Sequence, residues 1–150
     1  MAVEDSFNFR RIDDQVTTSG VVGADRLAEL AVQGYSAVIN LLPDDSEWAV
    51  ENEAGIIADQ GLAYVYIPVT WNDPTDADLA AFTEAMTAVE GKVHVHCAAN
   101  FRVTAFYAIY AQQNLSWSAD QSEELISGVW NPADHDPWQA FIADHTGSER

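Results

Sequence analysis

The hydrophobic positions of this chain fall into two kinds of run that alternate. Ser36 to Leu42, Leu62 to Val69 and Lys92 to His96 are short and rich in β-branched or aromatic residues. Such runs fit strands of a parallel sheet covered on both faces, where neither face meets water. Between them, apolar residues recur at three- and four-residue spacing, the mark of amphipathic helices. Leu27, Leu30 and Ala31 predict a helix from Ala24 to Gln33, stopped at Gly34, since glycine takes the left-handed conformation that closes a helix. Ser46 caps a predicted helix running to about Gln60, before Gly61. The pattern Thr75-Asp-Ala-Asp78 opens another that reaches about Val89, before Gly91.

Three more helices, over 102–113, 118–129 and 136–145, follow the last strand, the second opened by a capping box from Ser118 to Gln121. Residues 8–19 predict a short β-hairpin turning at Asp13-Asp14 and ending at Gly20. Strands alternating with helices, then a helical tail, give an α/β fold. Its expected centre is a mainly parallel sheet of about four to five strands flanked by helices. Without repeats, low-complexity tracts or linkers, residues 1–150 read as one domain.

Composition narrows the setting. At 150 residues and 48% hydrophobic, the chain is long enough for a core that needs no staples. One cysteine excludes an internal disulfide and suits a reducing cytosol. The N-terminus lacks the basic region and apolar run of a secretory signal, so a start near residue 1 and a cytoplasmic location are expected. Charge is the outlier: six basic residues against 24 acidic ones give −18, and Lys92 is the only lysine. Such a surface repels nucleic acid and anionic membrane, and without acidic blocks it reads as salt-adapted rather than merely acidic. An anionic substrate must therefore find a local positive site within a negative field.

That site is expected at Lys92-Val-His-Val-His-Cys-Ala-Ala-Asn-Phe-Arg102, where a strand passes through a loop of small residues into a helix. Cys97 at the end of a buried strand faces the N-terminus of that helix, where unpaired N–H groups and the helix dipole favour anions. A thiolate is itself an anion, so the same setting favours a reactive thiol over an inert buried one. Arg102 adds a planar cation able to hold two oxygens of a phosphate. Asn100 tolerates the left-handed conformation that turns loop amides inward. His94 and His96 share a strand face by period two. His-x-His-Cys offers metal-type ligands, but adjacent Cys97 points the other way, so no metal or other cofactor is expected and His94 reads as a packed histidine.

His96-Cys97 followed by Arg102 resembles the signature loop of cysteine-based protein phosphatases, the tyrosine and dual-specificity group. More narrowly, the chain resembles a bacterial phosphatase-like family whose members also occur fused to β-lactamase-like hydrolases. Thr18-Ser19-Gly20, Ala37 to Pro43, Tyr66 to Val69 and the helix around Trp138 fall in that family's order, so the likeness spans residues 8–143.

The resemblance implies hydrolysis of a phosphomonoester, on a small molecule or a protein and with phosphotyrosine-like groups in its range, through a phosphocysteine at Cys97. Arg102 clamps phosphate oxygens, His96 orients the loop and helps keep the thiolate ionised, and Ala98, Ala99, Asn100 and Phe101 line the anion site. Asp73, in the counterpart of the family's acid loop, is the leading general acid, with Asp76 and Asp78 as rivals. Trp71 and Phe101 flank the mouth. Trp48, Trp117, Trp130 and Trp138 are assigned to packing, and Asp134-His135-Asp136 to a solvated turn.

Two departures stand out. Four residues separate Cys97 from Arg102 where phosphatases have five, and Val103 follows the arginine where they carry Ser or Thr. Thr104 stands one place too late to replace that hydroxyl and is expected to be turned away on the helix. The short spacing is shared with rhodanese-like sulfurtransferases as well as with the bacterial family, so a Cys97 persulfide stands as an alternative, as does a non-catalytic phosphate-binding module.

Overall fold

A computed structural model describes residues 2–146. The strands are β1 (Arg10–Arg11), β2 (Val16–Ser19), β3 (Tyr35–Asn40), β4 (Ala63–Tyr66) and β5 (Lys92–His96). They form one sheet in the order β1-β2-β5-β3-β4, with β5 at its centre. Only β1 runs antiparallel to its neighbour. The predicted hairpin is β1-β2, and its turn is held by Asp13, whose Oδ1 accepts from the amides of Gln15 at 2.7 Å and Val16 at 2.9 Å.

The helices are α1 (Ala24–Leu27), α2 (Glu53–Ala58), α3 (Asp76–Ala88), α4 (Phe101–Asn114), α5 (Ala119–Ser127) and α6 (Asp136–Thr146). Two are shorter than predicted. After Leu27 the chain continues in tight turns to Gly34, because only Leu27 and Leu30 bury while Val32 is 87% exposed. One short apolar edge does not offset the cost of a longer helix. Ser46 caps only a turn, its hydroxyl accepting from the amide of Trp48. Regular helix begins at Glu53, because Asn52 before it sits in the left-handed region (φ 61°). Elsewhere the capping signals hold: Thr75 accepts from the amide of Asp78, and the box between Ser118 and Gln121 is complete.

Period two along β5 divides its side chains between two cores. Val93, Val95 and Cys97 enter the larger one, built with α3, α4, α5 and α6. His94 and His96 turn to the other face, where Val22, Leu27, Leu30, Val38 and Ile57 form the smaller core. Helix α4 is buried at every position from Val103 to Ala111, which explains why its sequence is apolar all round. The carboxyl ends of β2, β3, β4 and β5 lie together, which is where open α/β sheets bind ligands. Among the described residues, no helix is long and apolar enough to cross a membrane.

Candidate active site

The loop after β5 is sewn to the β1-β2 hairpin by its carbonyls. Ala98 O accepts from the amide of Val21 at 2.9 Å, and Ala99 O accepts from Asn8 Nδ2 at 2.9 Å. Asn100 O accepts from the amide and hydroxyl of Thr104. A trans peptide opposes its C=O and N–H, so these anchors turn the amides of Ala99, Asn100 and Phe101 the other way. Among the described residues, the amides from Ala98 to Arg102 have no acceptor. Asn100 makes this turn possible with φ 70°, and its Nδ2 donates to Asn8 O and Thr18 Oγ1, both at 2.9 Å. Gly20 is equally necessary, since a Cβ there would stand 2.5 Å from Ala98 O.

Cys97 is 0% exposed at the entrance to this loop. A reagent reaches its sulfur only when neighbouring groups move. Thr104 does not stand in for the missing Ser/Thr: its hydroxyl donates back to Asn100 O at 2.8 Å and accepts from Trp130 Nε1 at 3.0 Å.

Arg102 lies on the first turn of α4 with its Nε buried and unpartnered. Its guanidinium sits 5.3 Å from the centroid of Trp71, a cation–π contact that steadies the side chain. Trp71 also packs at a tilt on Phe101, and Phe101 stacks flat on Trp130 at 4.7 Å. Trp130 and Trp138 thus do more than fill the tail, for both touch Trp71. Trp48 is 59% exposed and is not core. In the predicted solvated turn, Asp134 and Asp136 are exposed, but His135 packs edge-on against Trp71 at 5.0 Å.

The three candidate acids are distinguished by their surroundings. Asp73 is exposed in the loop before α3, and its carboxylate has no hydrogen-bond partner among the described residues. Asp76 is held by His145 Nε2 at 2.8 Å. Asp78 sits over the start of α3, its amide bound to Thr75 Oγ1.

His94 is the packed histidine the alternation predicts. Ser19 Oγ donates to Gly20 O at 2.7 Å and therefore accepts from His94 Nε2–H at 2.8 Å. That leaves Nδ1 as the acceptor of the Thr17 hydroxyl at 2.7 Å, and Thr17 in turn accepts from Tyr35. Burial, reinforced by His96 and Lys92, holds His94 well below the ordinary histidine range, so it is neutral. His96 behaves differently. Its Nε2 meets Glu53 Oε2 at 2.6 Å, both side chains are buried, and its Nδ1 has no partner.

Sequence reasoning missed Glu53, Asn8, Thr18 and the part Trp130 plays. Glu53 lay inside a predicted amphipathic helix as one acidic residue among 24. Nothing in local spacing signals a partner 43 positions away.

The chain has clear relatives. A family described as "Beta-lactamase hydrolase-like protein, phosphatase-like domain" matches residues 8–114. A beta-lactamase hydrolase-like protein of Xylella fastidiosa is 36% identical over 120 residues, which is 76% of this chain and 27% of that protein. The chain thus spans about a quarter of the length of the curated relatives it matches. A DUF442 phosphatase candidate from Shewanella putrefaciens CN-32 has the same fold, with TM-score 0.86 at 30% identity, covering 97% of this chain and 92% of that one. Pseudomonas aeruginosa TpbA, crystallised with pTyr, matches at TM-score 0.69 and 21% identity over 95% of this chain and 86% of its own, a likeness of fold.

Proposed function

We propose, for a chain that belongs to the phosphatase-like domain family of the beta-lactamase hydrolase-like proteins, hydrolysis of a phosphomonoester through a phosphocysteine at Cys97. The observation that carries this reading is the run of amides from Ala98 to Arg102 left without acceptors, beside an Arg102 Nε that is also unpaired. A buried donor without a partner costs about 1–3 kcal/mol. A phosphoryl group with its equatorial oxygens in this loop would satisfy several such donors at once, most strongly in the transition state, where charge on those oxygens must be held.

The reaction runs in two displacements. Thiolate Sγ attacks phosphorus, the P–O bond to the leaving group breaks, and Asp73 gives its proton to the departing oxygen. Water, deprotonated by the same Asp73, then attacks phosphorus. The S–P bond breaks, inorganic phosphate leaves and the thiolate returns. Because Cys97 is fully covered, the loop must yield as substrate enters. Trp71 and Phe101 at the mouth favour an aromatic leaving group, which they hold by stacking.

Turnover of p-nitrophenyl phosphate by the wild type, abolished in Cys97→Ser and Arg102→Ala, is the expected result. Equal background rates in all three proteins would end the reading.

The four-residue spacing between Cys97 and Arg102 favours one second reading, sulfur transfer, because a smaller ring of amides suits a single sulfur better than a tetrahedral phosphate. Thiosulfate would pass its outer sulfur to Cys97 with release of sulfite, and cyanide would take that sulfur from the persulfide as thiocyanate. Thiocyanate release without phosphate release selects this second activity.

A further inference from the structure

We infer that Glu53 is a positioning residue for the chemistry at Cys97, acting through His96 from the opposite face of the sheet; this rests on the phosphocysteine reading above. Glu53 opens α2, where the first turn of a helix favours a negative side chain. Its Oε2 reaches His96 Nε2 at 2.6 Å, with side-chain exposures of 5% and 2%. The register of β3 against β5 sets Asn40 beside His96, which brings the segment after β3 over the carboxyl end of β5.

A buried pair of this kind is a weak source of stability, since desolvation offsets its attraction. What it does supply is a fixed ring. With Nε2–H committed to Glu53, the ring cannot flip. Nδ1, the ring nitrogen nearer the main chain, has no partner. His96 immediately precedes Cys97, so a ring locked onto Glu53 fixes the main chain from which the amide loop and the sulfur start.

The other groups around the ring do not take the place of Glu53. His94, stacked at 6.2 Å, is neutral. Tyr64, near Glu53, is pushed up to about 12 by burial and stays protonated. Arg102 lies at the far end of the loop, and Asp44 lines the outer cavity with Glu53 and Tyr64. That cavity holds about 430 Å³.

The test is hydrolysis of p-nitrophenyl phosphate, resolved into kcat and KM. In Glu53→Gln, kcat is expected to fall about tenfold with KM little changed, because the ring no longer holds the start of the loop. His96→Asn should fall as far, and the double variant no further, because Glu53 acts only through His96. Nitrogen NMR of the imidazole in the wild type and Glu53→Gln reads the loss of the Nε2 contact directly. Should Glu53→Gln fail to fold, His96→Asn and the wild-type NMR carry the test. A kcat unchanged in Glu53→Gln, or losses that add in the double variant, overturns the inference. Wild-type protein without turnover overturns the phosphocysteine reading itself, a distinguishable failure.

Discussion

Trp138 Nε1 donates to the main-chain carbonyl of Trp71 at 2.7 Å, tying the C-terminal helix to the loop that carries Asp73. Trp138 is fully buried and packs on Phe106 and Phe141, so the anchor is rigid. Trp138 lies beyond residue 114, where the family match ends, while Trp71 lies within the match. Helix α6 thus braces a loop beside the proposed site, whose proposed nucleophile belongs to the matched region.

Trp138→Phe keeps an aromatic ring in the core, deletes this donor and leaves a small cavity where the larger indole stood. The expected cost is about 2–4 kcal/mol of stability, the hydrogen bond and the cavity together, seen as a fall of several degrees in Tm. Because the acid loop loosens, kcat for phosphomonoester should drop while the Cys97 thiolate signal stays unchanged. An unaltered kcat would detach the anchor from the chemistry.

Gly20 and Ala98 make the loop intolerant of one extra carbon. In Gly20→Ala the new Cβ would meet Ala98 O at 2.5 Å, and that atom is backbone. The loop must shift or the protein must absorb about 1–3 kcal/mol of overpacking. Either way, phosphate or vanadate should protect the variant from thermal unfolding far less than the wild type. Equal protection would mean the loop does not hold the anion.

Leaving-group dependence is the measurement that separates Asp73 from Asp76 and Asp78 as the proposed acid. Asp73→Asn should slow hydrolysis of an alkyl phosphate by about 100-fold and p-nitrophenyl phosphate much less, since a good leaving group needs little help from an acid. Asp76→Asn should instead lower Tm slightly through the lost His145 contact. The reverse pattern would move the acid to Asp76.

His94 gives the fold a pH signature. Its ionisation is depressed in the folded chain by burial, so between the two values the unfolded chain binds the extra proton. The stability from neutral His94 is present in full above about pH 6.5 and is lost as pH falls below that, by up to about 1.4 kcal/mol per unit. The Tm of the wild type should therefore fall more steeply on acidification than that of His94→Gln, whose amide does not titrate. Parallel curves would contradict the buried neutral ring.

The strands, the hairpin turn at Asp13 and the caps at Thr75 and Ser118 were legible because each depends on neighbours a few residues apart. The Cys97–Arg102 loop was legible for the same reason, and period two on β5 correctly divided the histidines from Cys97. The start of α2 was not, because Asn52 breaks a run whose apolar spacing still looks helical. The residues around the loop were hidden too. Asn8 on Ala99, Glu53 on His96 and Trp138 on Trp71 join positions 91, 43 and 67 apart. Contacts of that range follow from the packing of whole elements and leave no mark on local sequence. Burial of Cys97 was hidden in the same way, since a strand-end cysteine reads alike whether open or covered.

The proposed chemistry requires the sulfur of Cys97 to carry the phosphoryl group. Acid quenching during turnover of p-nitrophenyl phosphate, followed by intact-mass and peptide analysis, reads this directly. One added phosphoryl group is expected, located on Cys97 and absent from Cys97→Ser. Turnover that persists in Cys97→Ser, or that proceeds in the wild type with no such adduct under any quench, would contradict it.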